Sequence, residues 1–79
     1  MYKFKVSQRK GKKYDVYKDG KYIVSFGSSN HQQYRDKTPI KAYSYLNHND
    51  KERRKRYYQR HGKEAKFESA KYFSHKYLW

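Results

Sequence analysis

Cysteine is absent from the 79 residues, which excludes disulfides, thiolate chemistry and cysteine-based zinc sites. Acidic residues are scarce, 7 against 21 Lys and Arg, so the formal charge is +14 with neutral histidines. Aliphatic side chains are also few: three Val, two Ile, two Leu and three Ala. The longest apolar runs are two or three residues, far short of a membrane-crossing helix. The opening Met1-Tyr2-Lys3-Phe4-Lys5 alternates charge with aromatic rings, unlike the apolar block of a secretory signal. A chain of this length makes one domain, residues 1–79, and leaves no room for a catalytic domain beside a cofactor domain.

What is abundant is aromatic. Eleven Tyr, four Phe and one Trp make up 20% of the chain. High charge with a mean hydropathy of −1.57 is otherwise the composition of a disordered chain. The rings argue for folding, because each can bury roughly 150–250 Å². The core must then be built from tyrosine and phenylalanine. Cores of chains this small supply only about 3–5 kcal/mol, and self-repulsion of the excess charge opposes compaction. A marginal fold of this kind is expected to be stabilised by polyanions, which would bind the folded form by preference.

The pattern predicts an α+β domain: a three-stranded antiparallel meander followed by two or three short helices. Residues 2–7 alternate, with Tyr2, Phe4 and Val6 on one side and Lys3 and Lys5 on the other, as in a half-buried strand. Residues 8–13 read as a basic turn around Gly11. Strands are expected over 14–18 and 21–26, flanking Asp19-Gly20, a strong type I′ hairpin signal. A plain two-residue loop would pair Tyr17 with Tyr22, Val16 with Ile23 and Asp15 with Val24, closing the meander (1–27) at Gly27. Residues 28–48 read as loop with a short helix or extended segment near 40–46. A basic helix is expected over 49–62, with Asn49 as N-cap, Glu52 at N3 and Gly62 as the stop. A C-terminal helix is expected over 69–79, with Ala70, Phe73 and Tyr77 on its inner face.

The charge is concentrated. At about 100° per residue, Tyr57, Tyr58, Arg54 and His61 share one sector of the basic helix, and the tyrosines are expected to anchor it to the sheet. Arg53, Arg56 and Arg60 lie to one side; Lys51 and Lys55 lie to the other. Like charges at i,i+3 and i,i+4 destabilise a helix, so the run Arg53-Arg54-Lys55-Arg56 points to a phosphate-binding face rather than a balanced, solvated one. Arg9, Lys10, Lys12 and Lys13 form a second basic cluster. Lysine outnumbers arginine 15 to 6, which favours backbone neutralisation over base reading. The 14 excess charges match about 24 Å of duplex, at one phosphate per roughly 1.7 Å. A compact chain of this length is near 30 Å across, with a radius of gyration of about 12 Å. The protein should therefore neutralise about as much DNA as it covers. Sequence-independent binding and compaction, with self-association, are expected.

Other chemistries are weakly supported. His31, His48, His61 and His75 form no ligand spacing, so neither metal nor cofactor is expected. His48-Asn49-Asp50 has the flavour of a nuclease loop, but no second histidine or acid cluster accompanies it, so no enzymatic activity is expected. Protonation of all four histidines below about pH 6.5 would add charge and strengthen DNA binding. Base stacking, an RNA- or single-strand-binding role, would fall to rings left exposed, with Tyr34, Tyr72 and Trp79 as candidates. Membrane binding is disfavoured by the narrow apolar face of the basic helix.

Phe26-Gly27, His48-x-Asp50, Tyr57 with Arg60-His61, and Ser74 with the closing Leu78-Trp79 form a pattern spread over most of residues 13–79. In it the chain resembles a family of small, basic, functionally uncharacterised proteins encoded by giant DNA viruses and some large phages. That resemblance implies a viral setting and, with the charge, a virion-core or genome-packing role, in the virion or the viral factory. It carries over no enzymatic activity. A structural virion component with protein partners is the other reading it leaves open.

Overall fold

Alternation along the first strand, β1 (Tyr2–Val6), sends Tyr2 and Phe4 inward and Lys3 and Lys5 outward. β1 pairs antiparallel with β2 (Lys12–Lys18), and β2 with β3 (Lys21–Ser28), giving the expected meander in the order β1-β2-β3. The computed structural model describes all of residues 1–79. Asp19 and Gly20 take φ of 52° and 80°, the left-handed pair that a type I′ turn requires. Tyr17 pairs with Tyr22, as a two-residue loop dictates, but a bulge between Val16 and Tyr17 shifts the rest of the register. Val16 therefore pairs with Val24 rather than Ile23, and Asp15 with Ser25 rather than Val24. The shift places Val16 and Val24 together against the core while Tyr17 and Tyr22 share the outer face. Val6 lies at the sheet edge and is 48% exposed, in contrast to the half-buried position that alternation predicts.

After β3 the chain forms a polar loop with a single 3-10 turn, Ser44–Leu46, followed by helix α1 (Lys51–His61) and helix α2 (Ala70–Tyr77). α1 starts one residue later than expected. Asp50, not Asn49, is the N-cap: its carboxylate accepts from the N–H groups of Glu52 and Arg53. An anion there also meets the positive end of the helix dipole. Asn49 takes a left-handed φ of 54°, and its N–H bonds Tyr34 O. Ser69 caps α2 through the N–H of Tyr72.

The core is aromatic. Tyr14, Val16, Phe26, Phe73 and Leu78 are fully buried, with Tyr2, Phe4, Ala70 and Tyr77 packed against them. Phe73 and Tyr77 carry α2 onto the sheet, meeting Tyr2 at 5.1 Å and Phe4 at 4.7 Å between ring centroids, both edge to face. Gly27 allows the close approach of α2's end. Its φ is +79°, and a Cβ there would lie 2.9 Å from Leu78 Cδ1 and 3.1 Å from Lys13 Cβ.

A buried polar knot holds the loop. Asp36 accepts from Tyr14 Oη at 2.5 Å, Thr38 Oγ1 at 2.6 Å and the Tyr43 N–H at 3.1 Å. Burial, with the bond to Asp36, pushes the Tyr14 hydroxyl up to about 12. Gln33 donates to Tyr43 O and to Asn47 Oδ1, each at 2.7 Å. The Lys13 ammonium inserts here, donating to Gln33 Oε1 and, at 2.8 Å, to His31 O.

Candidate nucleic-acid interface

α1 is set in place by aromatic side chains rather than by close backbone packing. Tyr57 stacks on Trp79, with centroids 4.3 Å apart and planes at 8°, and its hydroxyl hydrogen-bonds His75 Nδ1 at 2.9 Å. Tyr58 Oη donates to His75 O at 3.2 Å. The two tyrosines thus anchor α1 to α2 and the C-terminal residues, not to the sheet as expected. Arg54 closes the joint. Its Nε donates to Trp79 O at 2.6 Å, and its guanidinium lies 5.2 Å from the Tyr34 ring and 5.5 Å from the Tyr58 ring. Tyr34 is only 9% exposed in consequence. Arg54 therefore braces the fold while its side chain remains exposed. Tyr34 is no stacking platform, and Tyr72 and Trp79 are half buried.

This anchoring leaves the other faces of α1 exposed, with Arg53 Nη1 donating to Gln32 Oε1 at 2.7 Å. Arg53 and Arg60 project on one flank into a cleft of about 530 Å³. The cleft runs between α1, α2, the ends of β2 and β3, and the 31–32 loop, and Lys12, His31, His61 and Lys71 complete its basic lining. Leu78, Ala70 and the Tyr57–Trp79 pair form apolar wall. A hollow beside it is lined by Arg53, Arg56, Gln59, Arg60 and Trp79, and Lys51 and Lys55 share another with Arg54, Tyr58, Gln59 and Lys63. No carboxylate lines any of the three. A further hollow, of about 540 Å³, bears Glu64 and lacks that uniform sign.

The candidate residues thus divide into groups. Arg53, Arg56, Arg60, Lys51 and Lys55 come together on exposed α1, and Lys12 faces the same cleft as Arg53 and Arg60. Lys10 is exposed in the β1–β2 turn, while Arg9 lies over the Tyr22 ring at 5.1 Å. Lys13 is a correction: it is 1% exposed, its ammonium is bonded inside the fold, and burial lowers its pKa to about 8. β2 begins at Lys12, two residues earlier than expected, so Lys13 is a strand residue under the 31–33 loop rather than a turn residue. His31, Lys63 and Lys71 also border these concavities, although no pattern in the sequence marks them as part of the interface. Lys71 was legible in principle, because an inward Ala70, Phe73 and Tyr77 leave it on the flank of α2.

Only one ion pair forms, Lys18 with Glu68 at 3.5 Å. No other Lys or Arg reaches a carboxylate. His48 and His75 are held below the ordinary histidine value, in each case chiefly by burial. His48 Nδ1 accepts the Asp50 N–H, and both Nε2 atoms are buried without a partner. These two histidines therefore do not gain charge together with the pH drop expected for all four. No group of acids and histidines is arranged to hold a metal ion.

Of the pattern noted in sequence, Gly27, Tyr57, Arg60, His61, Ser74, Leu78 and Trp79 line this cleft, whereas Phe26 lies in the core and His48 and Asp50 lie outside it. Comparison with known proteins found no matching family model, curated protein or solved structure.

Proposed function

We propose that this protein binds duplex nucleic acid without sequence preference, engaging phosphates through the exposed flank of α1 and the adjoining cleft, and compacts DNA. The observation that carries the reading is charge without internal compensation: an excess of +14 with a single ion pair. Arg53, Arg56 and Arg60 share one flank whose hollows no carboxylate lines, and Lys12 and Lys71 extend it across the cleft. Such a surface attracts a polyanion and releases its condensed counterions, the sequence-independent part of DNA binding. The dimensions agree with a neutralising coat. The radius of gyration is 12.1 Å and the extents are 37 × 27 × 22 Å, close to the roughly 24 Å of duplex that its charge would cancel. Many copies acting together would then collapse the duplex. A viral genome as the target, and a virion or viral-factory location, rest on the motif resemblance alone.

Gel-shift titration on several unrelated duplexes tests the reading. Ladders or aggregates at similar protein concentrations on every sequence are expected. One discrete complex confined to one sequence would refute sequence independence, and no shift on any duplex would refute the function.

A further inference from the structure

The sheet has a second face that the cleft does not use. The pairing register sets Lys3 opposite Tyr17 and Tyr17 opposite Tyr22, one basic and two aromatic side chains in a row across all three strands. Alternation puts this row on the side away from the core, since Phe4, Val16 and Val24 point to the other. The next row is Lys5, Asp15 and Ser25. Tyr22 is 44% exposed. Its hydroxyl hydrogen-bonds Ser25 Oγ at 2.8 Å, and the half-buried Tyr17 ring meets it edge to face with centroids 5.8 Å apart. Ser25 in turn donates to Asp15 at 2.5 Å, which occupies the one carboxylate in these rows.

Cations already lie over the rings and would swing aside as a base stacks. Lys5 Nζ lies 5.0 Å from the Tyr17 centroid, and the Arg9 guanidinium 5.1 Å from that of Tyr22. No side chain accepts a hydrogen bond from either cation in the folded chain, so each is free to turn to a phosphate.

We propose that this open face binds single-stranded nucleic acid, stacking unpaired bases on Tyr17 and Tyr22 while Lys3, Lys5 and Arg9 take the flanking phosphates. Stacking is indifferent to sequence because every base has a π-face. A duplex keeps those faces inside its own stack, so this surface favours single strands whereas the flank of α1 neutralises phosphates of either form. The inference goes beyond duplex binding and does not depend on it.

The test compares fluorescein-labelled oligo(dT) of 20 nucleotides, an abasic strand of equal length and a 20-base-pair duplex, by anisotropy. The unmodified protein should bind oligo(dT) at least tenfold more tightly than the abasic strand, and equal affinities would overturn the proposal. Tyr17→Ala/Tyr22→Ala should lose at least tenfold on oligo(dT) while staying within twofold on abasic strand and duplex. Tyr22→Phe, which keeps the ring, should stay within twofold throughout. Unchanged oligo(dT) affinity in the double variant, or equal losses on all three probes, would also overturn it. Because the first comparison needs no variant, it stands even if the double variant fails to fold. Absence of duplex binding alone would refute the phosphate-neutralising function and leave this result intact.

Discussion

Lys13 offers a stability test that is independent of any ligand. Burial lowers its pKa from 10.5 to about 8. The folded chain therefore releases this proton near pH 8, and the unfolded chain keeps it until about pH 10.5. Between those values the unfolded state binds more protons, so stability must rise with pH. At about 1.36 kcal/mol per pH unit, the whole interval corresponds to about 3 kcal/mol. The upper end is cut short by Tyr2, Tyr14 and Tyr57, pushed up to about 12, Tyr2 chiefly by its hydrogen bond to Glu68 and the other two chiefly by burial. They hold their protons in the folded state after the unfolded chain has lost them, so their contribution is present below pH 10 and fades above it. Over pH 8–10 Lys13 should add about 2–3 kcal/mol, and Lys37, also held below its ordinary value chiefly by burial, acts in the same direction. Urea unfolding followed by far-UV circular dichroism at half-unit steps measures it. In Lys13→Met the rise over this window should shrink by about that amount, whatever that variant's absolute stability once His31 O and Gln33 Oε1 lose their donor. A flat or falling curve for the unmodified chain, or the same slope in Lys13→Met, would refute the reasoning.

Acidification should weaken the fold. His48 and His75 are held below their ordinary value, so the unfolded chain takes up protons first as pH falls below about 6.5; the melting temperature at pH 5 should lie below that at pH 7.5. Gly27→Ala should destabilise by about 1–3 kcal/mol in urea unfolding, because it forces a side chain into left-handed backbone against Leu78. Tyr14→Phe should cost about 1–3 kcal/mol in the same assay, since buried Asp36 loses a donor.

The meander, the two helices and the aromatic core were legible because they rest on local signals: alternation in residues 2–7, Asp19-Gly20, and the spacing of Ala70, Phe73 and Tyr77. The bulge was not, because two adjacent β-rich runs read the same in either register and the packing of Val16 on Val24 decides between them. Nor was the polar knot, in which Gln33, Asp36 and Thr38 are buried. Those side chains read as ordinary polar loop residues in sequence, and only their long-range partners Tyr14 and Asn47 make burial tolerable. Of the interface, the α1 arginines were legible from helical angle alone. Lys13 was misassigned because charge in sequence does not reveal whether a cation meets solvent or a carbonyl oxygen. The cleft itself depends on α1 docking to Trp79, which no local pattern encodes.

Phosphate neutralisation by the free flank of α1 is tested most directly by duplex affinity across a salt series, for the unmodified chain and for Arg53→Gln/Arg56→Gln/Arg60→Gln. The logarithm of the binding constant should fall linearly with the logarithm of salt, similarly on unrelated sequences. The slope should flatten by about 1 for each phosphate that an arginine no longer neutralises. Binding that ignores salt, or a slope unchanged in the triple variant, would contradict the account.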